Sequence, residues 1–233
     1  MWFPQLSYFL TCGYRVIAPD MSGYGGTPFV RENYSVGSMS DDVMNLIKYL
    51  KIEKPVVVGI SMGGYIALDI CERNPELLGA IVLSNTKAEA DTEDIKKRRQ
   101  AQIEVLKQKG VREFVKESAP RRLSKKTLGE KPWVLDAITL LNMTVNLDVL
   151  IATLQAMLEK KDNTPSLSKI KIPTLITYGT DDQLIPKTAA PAMHKAISHS
   201  EIVPIEGTAH VSNLEDPAQY NIALKQFLSE AKF

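Results

Sequence analysis

Residues 55–64 read Pro-Val-Val-Val-Gly-Ile-Ser-Met-Gly-Gly, and this stretch decides the fold. Its β-branched run is typical of a strand that is buried on both faces of a parallel sheet. A helical pattern begins directly afterwards, at about Met62, and ends at Asn74-Pro75. The chain therefore passes from a buried strand through one tight turn into a helix, and Ser61 lies in that turn.

The turn carries the pattern of a nucleophilic serine, because residues 59–63 match G-x-S-x-G. Composition alone produces such a match in about one chain of this length in ten, so the flanking strand and helix make the prediction specific. We expect a side chain at residue 59 or 63 to collide with the neighbouring strand and helix, so that glycine is needed there. Gly64 extends this surface without side chains into the first turn of the helix. The Ser61 hydroxyl would then stand above the carboxyl edge of the sheet, where open α/β folds bind ligands. The alternative is a serine that only caps the helix.

His210 is the candidate general base among the three histidines. It lies in residues 207–210, Gly-Thr-Ala-His, between a predicted strand at 201–205 and a helix that begins at Asp216-Pro217. This loop opens at the same edge as Ser61, and an imidazole can accept and return a proton near neutral pH. The other two, His194 and His199, are interpreted as surface residues.

A carboxylate is needed to hold the imidazole and to stabilise its positive form. Asp181 and Asp182 both follow a predicted strand at 174–178, so both lie at the carboxyl edge. The chain order serine, acid, histidine is the order expected for a strand-to-helix nucleophile of this kind. The residues alone leave the choice between the two aspartates open, and the other one would cap the turn.

The remaining pattern divides the chain into three parts. Short apolar runs at 15–18 and 80–83 predict two further strands, and a helix is expected to begin at Ser38. From about residue 91 to residue 162 only helical patterns occur. Strands that alternate with helices predict a mostly parallel sheet flanked by helices. The predicted units are residues 1–87 and 166–233 for this α/β core, and 88–165 for an inserted helical cap.

Composition restricts the function classes. The chain has 233 residues with a net charge of +1, so no strong field attracts nucleic acid or cationic partners. No apolar run approaches the roughly 20 residues that span a bilayer, and the first residues lack the pattern of a signal peptide. Cys12 and Cys71 form neither a disulfide framework nor a metal set. We expect a cytoplasmic protein without a cofactor or metal.

Taken together, these motifs resemble the α/β-hydrolase superfamily over nearly the whole chain. The resemblance rests on VVVGISMGG at the turn, VIAPDMSGYGGT, GTDDQLIP and GTAHVSNLEDP. It assigns the acid to Asp182 and one oxyanion donor to the Met62 N–H. A serine at the turn separates the chain from dehalogenase-like and epoxide hydrolase-like members, which carry aspartate there. The cap is similar to that of small bacterial serine carboxylesterases and 3-oxoadipate enol-lactonase-like hydrolases.

The resemblance implies cleavage of a small ester or lactone through an acyl-enzyme, with peroxidase-like chemistry as an open alternative. The cap should form an apolar roof over Ser61 from Trp133, Ile138, Leu141 and Met157, which favours small apolar acyl groups. A protein that only binds its ligand, with an unused triad, is the other class considered.

The family's eight-strand order, 1-2-4-3-5-6-7-8, makes residues 15–18 strand four. Strands one to three and the His-Gly loop with the second oxyanion donor are then missing from the sequence. We therefore expect a gap in the sheet, a truncated or mis-started gene product, and weak or no activity. The alternative is that a backbone N–H of residues 22–26 supplies the second donor.

Overall fold

The computed structural model describes residues 1–231, which form a four-stranded parallel sheet with helices on both faces. The strands are β1 (Val56–Ile60), β2 (Ala80–Ser84), β3 (Thr174–Gly179) and β4 (Ser200–Ile205), in the order β1-β2-β3-β4. β2 is buried throughout, as its run Ala-Ile-Val-Leu predicts. All pairings are parallel, so every strand ends at the same edge of the sheet.

The helices connect these strands and cover the sheet. They are α1 (Phe3–Thr11), α2 (Val36–Tyr49), α3 (Met62–Arg73), α4 (Glu93–Ser118), α5 (Lys125–Glu130), α6 (Pro132–Met143), α7 (Leu147–Leu158), α8 (Ala189–Ala196), α9 (Ser212–Glu215) and α10 (Pro217–Glu230). One face of the sheet packs on α2, α3 and α8, and the other packs on α1 and α10. Parallel strands require such crossovers, because the chain must return to the starting edge after each strand.

The predicted strand at residues 15–18 is wrong, since these residues have no regular structure. A strand is defined by its hydrogen-bonded neighbour, and in residues 1–231 the only strand paired with β1 is β2. Residues 15–18 and β1 instead line a common cavity. The outer edge of β1 is therefore unpaired within the described part of the chain.

The predicted start of α2 at Ser38 is also wrong, because the helix begins one turn earlier. Ser35 is the N-cap, and its hydroxyl accepts a hydrogen bond from the Ser38 N–H at 3.1 Å. The Ser38 hydroxyl accepts the Ser35 N–H in return at 2.9 Å. The capping box therefore pairs two serines instead of a serine with an acid, which is why the sequence pattern pointed to the wrong residue.

Helices α4 to α7 lie between β2 and β3 and share a hydrophobic core of their own. This core also receives Val211 and Leu214 from the segment that follows His210, so the cap packs beside that loop. No single helix within residues 1–231 is long and apolar enough to cross a bilayer; α6 and α7 pass that test only as a pair, bent by 100° at their junction. The exact division at residues 88 and 165 stays a prediction.

The expected apolar roof is only partly correct. Ile138, Leu141 and Met157 line the cavity that contains Ser61, whereas Trp133 does not contribute to its lining. The Trp133 side chain is 60% exposed on the outside of α6. It lies five residues before Ile138, which on a helix points to a different face.

Candidate active site

Ser61 lies in a strained turn between β1 and α3. Its backbone has φ 53° and ψ −113°, a conformation that few non-glycine residues adopt. The Ser61 N–H donates to the Ser84 carbonyl of the next strand at 2.9 Å, and the Thr86 hydroxyl donates to the Ser61 carbonyl at 2.7 Å. These two contacts hold the turn so that the Ser61 side chain leaves the carboxyl edge of the sheet.

The glycines around Ser61 do not all have the same role. A Cβ at Gly59 would lie 2.2 Å from the Gly63 carbonyl oxygen, and one at Gly64 would lie 2.4 Å from the Thr86 hydroxyl. Both positions therefore require glycine, as predicted. The expected collision at Gly63 is wrong, because a Cβ there meets no heavy atom of its described surroundings within 4 Å. The close approach is one residue further along, where α3 passes the end of β2.

The structure brings Ser61, His210 and Asp182 into one hydrogen-bonded chain. His210 Nε2 lies 2.9 Å from Ser61 Oγ, and His210 Nδ1 lies 2.9 Å from Asp182 Oδ2. The competing Asp181 is exposed and does not contact His210. His194 and His199 are both exposed, as the sequence analysis expected of surface residues.

Asp182 is buried and fully used as an acceptor. Its Oδ1 accepts the backbone N–H groups of Leu184 and Ile185 at 2.8 and 3.3 Å, and its Oδ2 accepts the Asn85 amide at 3.1 Å in addition to His210. Burial alone would raise the pKa of Asp182, but the hydrogen bonds and the charge of His210 lower it below its usual value. The carboxylate therefore stays ionised at neutral pH.

Two buried residues support the hydrogen-bonded series of Ser61, His210 and Asp182, and the sequence analysis missed both. Asn85 donates to Asp182 and to the Ala209 carbonyl, and its oxygen accepts the Ser212 hydroxyl at 2.7 Å. It directly follows β2, so the criterion that selected Asp181 and Asp182, a polar residue at a carboxyl strand end, would have found it.

Glu215, the second missed residue, links the histidine loop to the cap. Its carboxylate accepts the Ala209 N–H at 2.8 Å and, from the cap, the Ser124 N–H and the Thr127 hydroxyl, each at 2.8 Å. It is 1% exposed. In sequence it looks like an ordinary acid next to a helix start, and nothing there signals that it is buried.

The backbone N–H of Met62 is the first of α3, where helical N–H groups have no intrahelical acceptor. The helix dipole adds a partial positive charge at this end. Such an N–H beside the Ser61 hydroxyl has the chemistry of an oxyanion donor.

Ser61 and His210 open into a cavity of about 1820 Å³. Its walls come from the cap, from the segment at residues 14–21 and from the outer edge of β1. This volume exceeds the roughly 300–1,000 Å³ of most ligand pockets, because the site and the space along β1 are continuous.

No group of three or more His, Cys, Asp or Glu side chains that could hold a metal ion occurs within residues 1–231. Both cysteines are free thiols, and burial raises the pKa of Cys71 to about 12.

Comparison with known proteins identifies a matching family and similar hydrolases. The family described as alpha/beta hydrolase fold matches residues 1–217. The putative carbamate hydrolase RutD of Rhizobium rhizogenes is 29% identical over 97% of this chain and 87% of its own length. The 3-oxoadipate enol-lactonase 1 of Acinetobacter baylyi is 30% identical over 94% of this chain and 80% of its own length.

Solved structures show the same architecture. The malate-bound structure of a thermophilic esterase from Thermogutta terrifontis superposes with a TM-score of 0.92 at 27% identity. The match covers 98% of this chain and 84% of the esterase.

Proposed function

Because the chain belongs to the family described as alpha/beta hydrolase fold, we propose that it is a serine hydrolase of a small carboxylic ester or lactone. Ser61 is the nucleophile, His210 the general base and Asp182 the residue that orients and stabilises the imidazolium. The single observation that carries this proposal is the unbroken path of hydrogen bonds from Asp182 through His210 to Ser61, both at 2.9 Å. Relatives named as esterases, lactonases and hydrolases support the reaction class.

The proposed reaction has two halves. His210 removes the Ser61 proton as the oxygen attacks the ester carbonyl, and the Met62 N–H stabilises the resulting oxyanion. The imidazolium then gives its proton to the leaving alcohol, which leaves an acyl group on Ser61. Water activated by His210 attacks this acyl-enzyme, and the acid leaves. In a lactone the leaving alcohol stays attached to the acyl group, so one open-chain product forms.

The geometry suits this order of reaction steps because each of the three side chains has one role. Asp182 accepts two backbone N–H groups and the Asn85 amide, so its position does not depend on His210 alone.

The proposed compartment is the cytoplasm, since Cys12 and Cys71 are both unpaired.

Turnover of short 4-nitrophenyl esters and of a small lactone tests the proposal. The matched pair is Ser61→Ala against Ser198→Ala, which removes the same hydroxyl from an exposed loop. Turnover in the wild type and in Ser198→Ala that is lost in Ser61→Ala is the expected result. A folded wild-type protein that hydrolyses none of these substrates would instead support the alternative, a catalytically impaired hydrolase fold.

A further inference from the structure

The cavity beside Ser61 is lined by more basic than acidic side chains. Eight arginine or lysine residues and two aspartates contribute to its lining, and two of the eight, Arg99 and Lys54, are paired with the carboxylates of Asp91 and Glu76. Cavity walls of one charge concentrate the field and attract ligands of the opposite charge. This lining therefore suits a negatively charged ligand better than a positively charged one.

Arg122 is the basic residue that is tied to the catalytic residues. It ends a short 3-10 helix, Pro120–Arg122, and its carbonyl accepts the His210 N–H at 3.0 Å. Arg122 lines the cavity together with Ser61 and His210. This arginine therefore belongs to the wall that the cap presents beside the base.

Arg122 and Arg99 are both half-buried and both line the cavity, but Arg99 has an acidic partner and Arg122 has none within residues 1–231. Arg99 pairs with Asp91 at 2.5 Å, and Arg73 pairs with Asp69 at 3.0 Å. No carboxylate among the described residues 1–231 forms an ion pair with Arg122. Burial lowers the pKa of Arg122 below its usual range, so the surroundings do not compensate its charge.

The orientation of the Arg122 side chain is fixed by a single hydrogen bond. Its Nη1 donates to Asn142 Oδ1 at 3.2 Å, and the Asn142 amide donates to the Ile138 carbonyl at 2.6 Å. Asn142 therefore presents its oxygen to Arg122. A guanidinium has five N–H donors in a planar fork, so most of its donors are left for a ligand.

We propose that Arg122 binds a carboxylate of the substrate, so that the preferred substrate is an ester or lactone that carries a second, ionised carboxyl group. This inference rests on the proposed serine hydrolase function and adds its substrate class. A carboxylate accepts two parallel N–H bonds from an arginine fork, which fixes its orientation as well as its position. The assignment replaces the sequence-based expectation of small apolar acyl groups, because an apolar group would leave the Arg122 charge without a partner.

Matched substrates and matched variants test the inference. The mono-4-nitrophenyl ester of glutaric acid is compared with the 4-nitrophenyl ester of glutaramic acid, in which a neutral amide replaces the carboxylate. Arg122→Met removes the charge but keeps an unbranched side chain, and Arg112→Met removes the same charge from an exposed arginine of α4 that does not line the cavity. Circular dichroism and thermal unfolding establish that each variant is folded.

In the wild type and in Arg112→Met, kcat/KM should favour the anionic ester by about 10- to 100-fold, the value of one or two charge-assisted hydrogen bonds. Arg122→Met should lose this preference, so that its kcat/KM for the anionic ester falls to its value for the neutral amide ester. Arg122→Lys should recover only part of the preference, because an ammonium lacks the planar fork. Equal preference in Arg122→Met and the wild type would overturn the inference.

The two proposals fail in different ways. Ser61-dependent turnover with no preference for the anionic ester overturns the carboxylate site and leaves the serine hydrolase intact. If no ester is hydrolysed, the proposed function fails, and calorimetric binding of glutarate to wild type and Arg122→Met then decides the carboxylate site by itself. Binding that is equal in both proteins, or inorganic phosphate that binds more tightly than glutarate, would contradict it.

Discussion

Asn85 donates its side-chain amide to Asp182 Oδ2 over 3.1 Å and so shares that oxygen with His210. Asn85 is 1% exposed and has φ 46°, a left-handed conformation that asparagine and aspartate tolerate better than most residues. The amide thus neutralises part of the Asp182 charge at the same oxygen that is hydrogen-bonded to His210. It also ties Asp182 to the end of β2, the strand between the Ser61 turn and the strand that leads to Asp182.

Replacement of this amide by a carboxylate should shift the acid sensitivity of the protein. In the wild type the pKa of Asp182 is lowered, so its stabilising effect is complete above the unfolded value of about 3.9 and disappears as pH falls through the lower folded value. Asn85→Asp adds a like charge at hydrogen-bond distance, which raises the pKa of Asp182. Urea unfolding from pH 3 to pH 7 should show that the variant loses stability at higher pH than the wild type. Identical pH profiles would contradict the coupling of Asn85 to Asp182.

Alanine substitutions at Gly63 and Gly64 should have opposite outcomes although the residues are adjacent. Gly64→Ala places a Cβ 2.4–2.6 Å from the Thr86 side chain, which is β-branched and holds the Ser61 carbonyl. We expect a loss of stability of about 1–3 kcal/mol and a large loss of ester turnover. Gly63→Ala enters open space within a helix, so it should be neutral or stabilising by up to about 1 kcal/mol. Thermal unfolding of both variants distinguishes them, and equal losses would show that the turn is not packed as described.

Substitution of Glu215 should affect the position of His210 through the backbone. Glu215→Gln replaces one acceptor oxygen by a donor, so at least one of its three buried partners, the Ala209 N–H among them, loses its acceptor. An unsatisfied buried group of this kind costs about 1–3 kcal/mol. Glu206→Gln, on the exposed part of the same loop, is the matched control and should leave stability unchanged. Chemical denaturation measures both, and a neutral Glu215→Gln would remove Glu215 from the support of the histidine loop.

The sequence correctly predicted those elements of the fold that follow from the residues within the element itself. Val56–Ile60 and Ala80–Ser84 are strands because β-branched and aliphatic runs fit a sheet covered on both faces. Ser61, His210 and the pair Asp181 and Asp182 could be placed together because parallel strands bring their carboxyl ends to one edge, whereas the choice of Asp182 came from the family resemblance. Residues 15–18 have an equally suitable composition but no strand beside them, and pairing cannot be read from composition.

Long-range contacts account for the other differences. Whether a Cβ fits at Gly63 or Gly64 depends on how α3 passes Thr86, which is distant in sequence. The acceptor role of Glu215 depends on Ser124 and Thr127, about 90 residues earlier in the chain. The exposed position of Trp133 follows from which face of α6 packs on the cap core, and that choice depends on the other cap helices.

Covalent labelling with a fluorophosphonate tests the central claim most directly, because the reagent reacts with serine hydroxyls that an adjacent base activates. Intact-protein mass spectrometry and peptide mapping would give the stoichiometry and the labelled residue. The account predicts one adduct per chain, located on Ser61, absent in Ser61→Ala and slowed by about 100-fold or more in His210→Gln. Labelling of the folded protein at another residue, or at an equal rate in His210→Gln, would contradict the assignment of Ser61 as a nucleophile activated by His210.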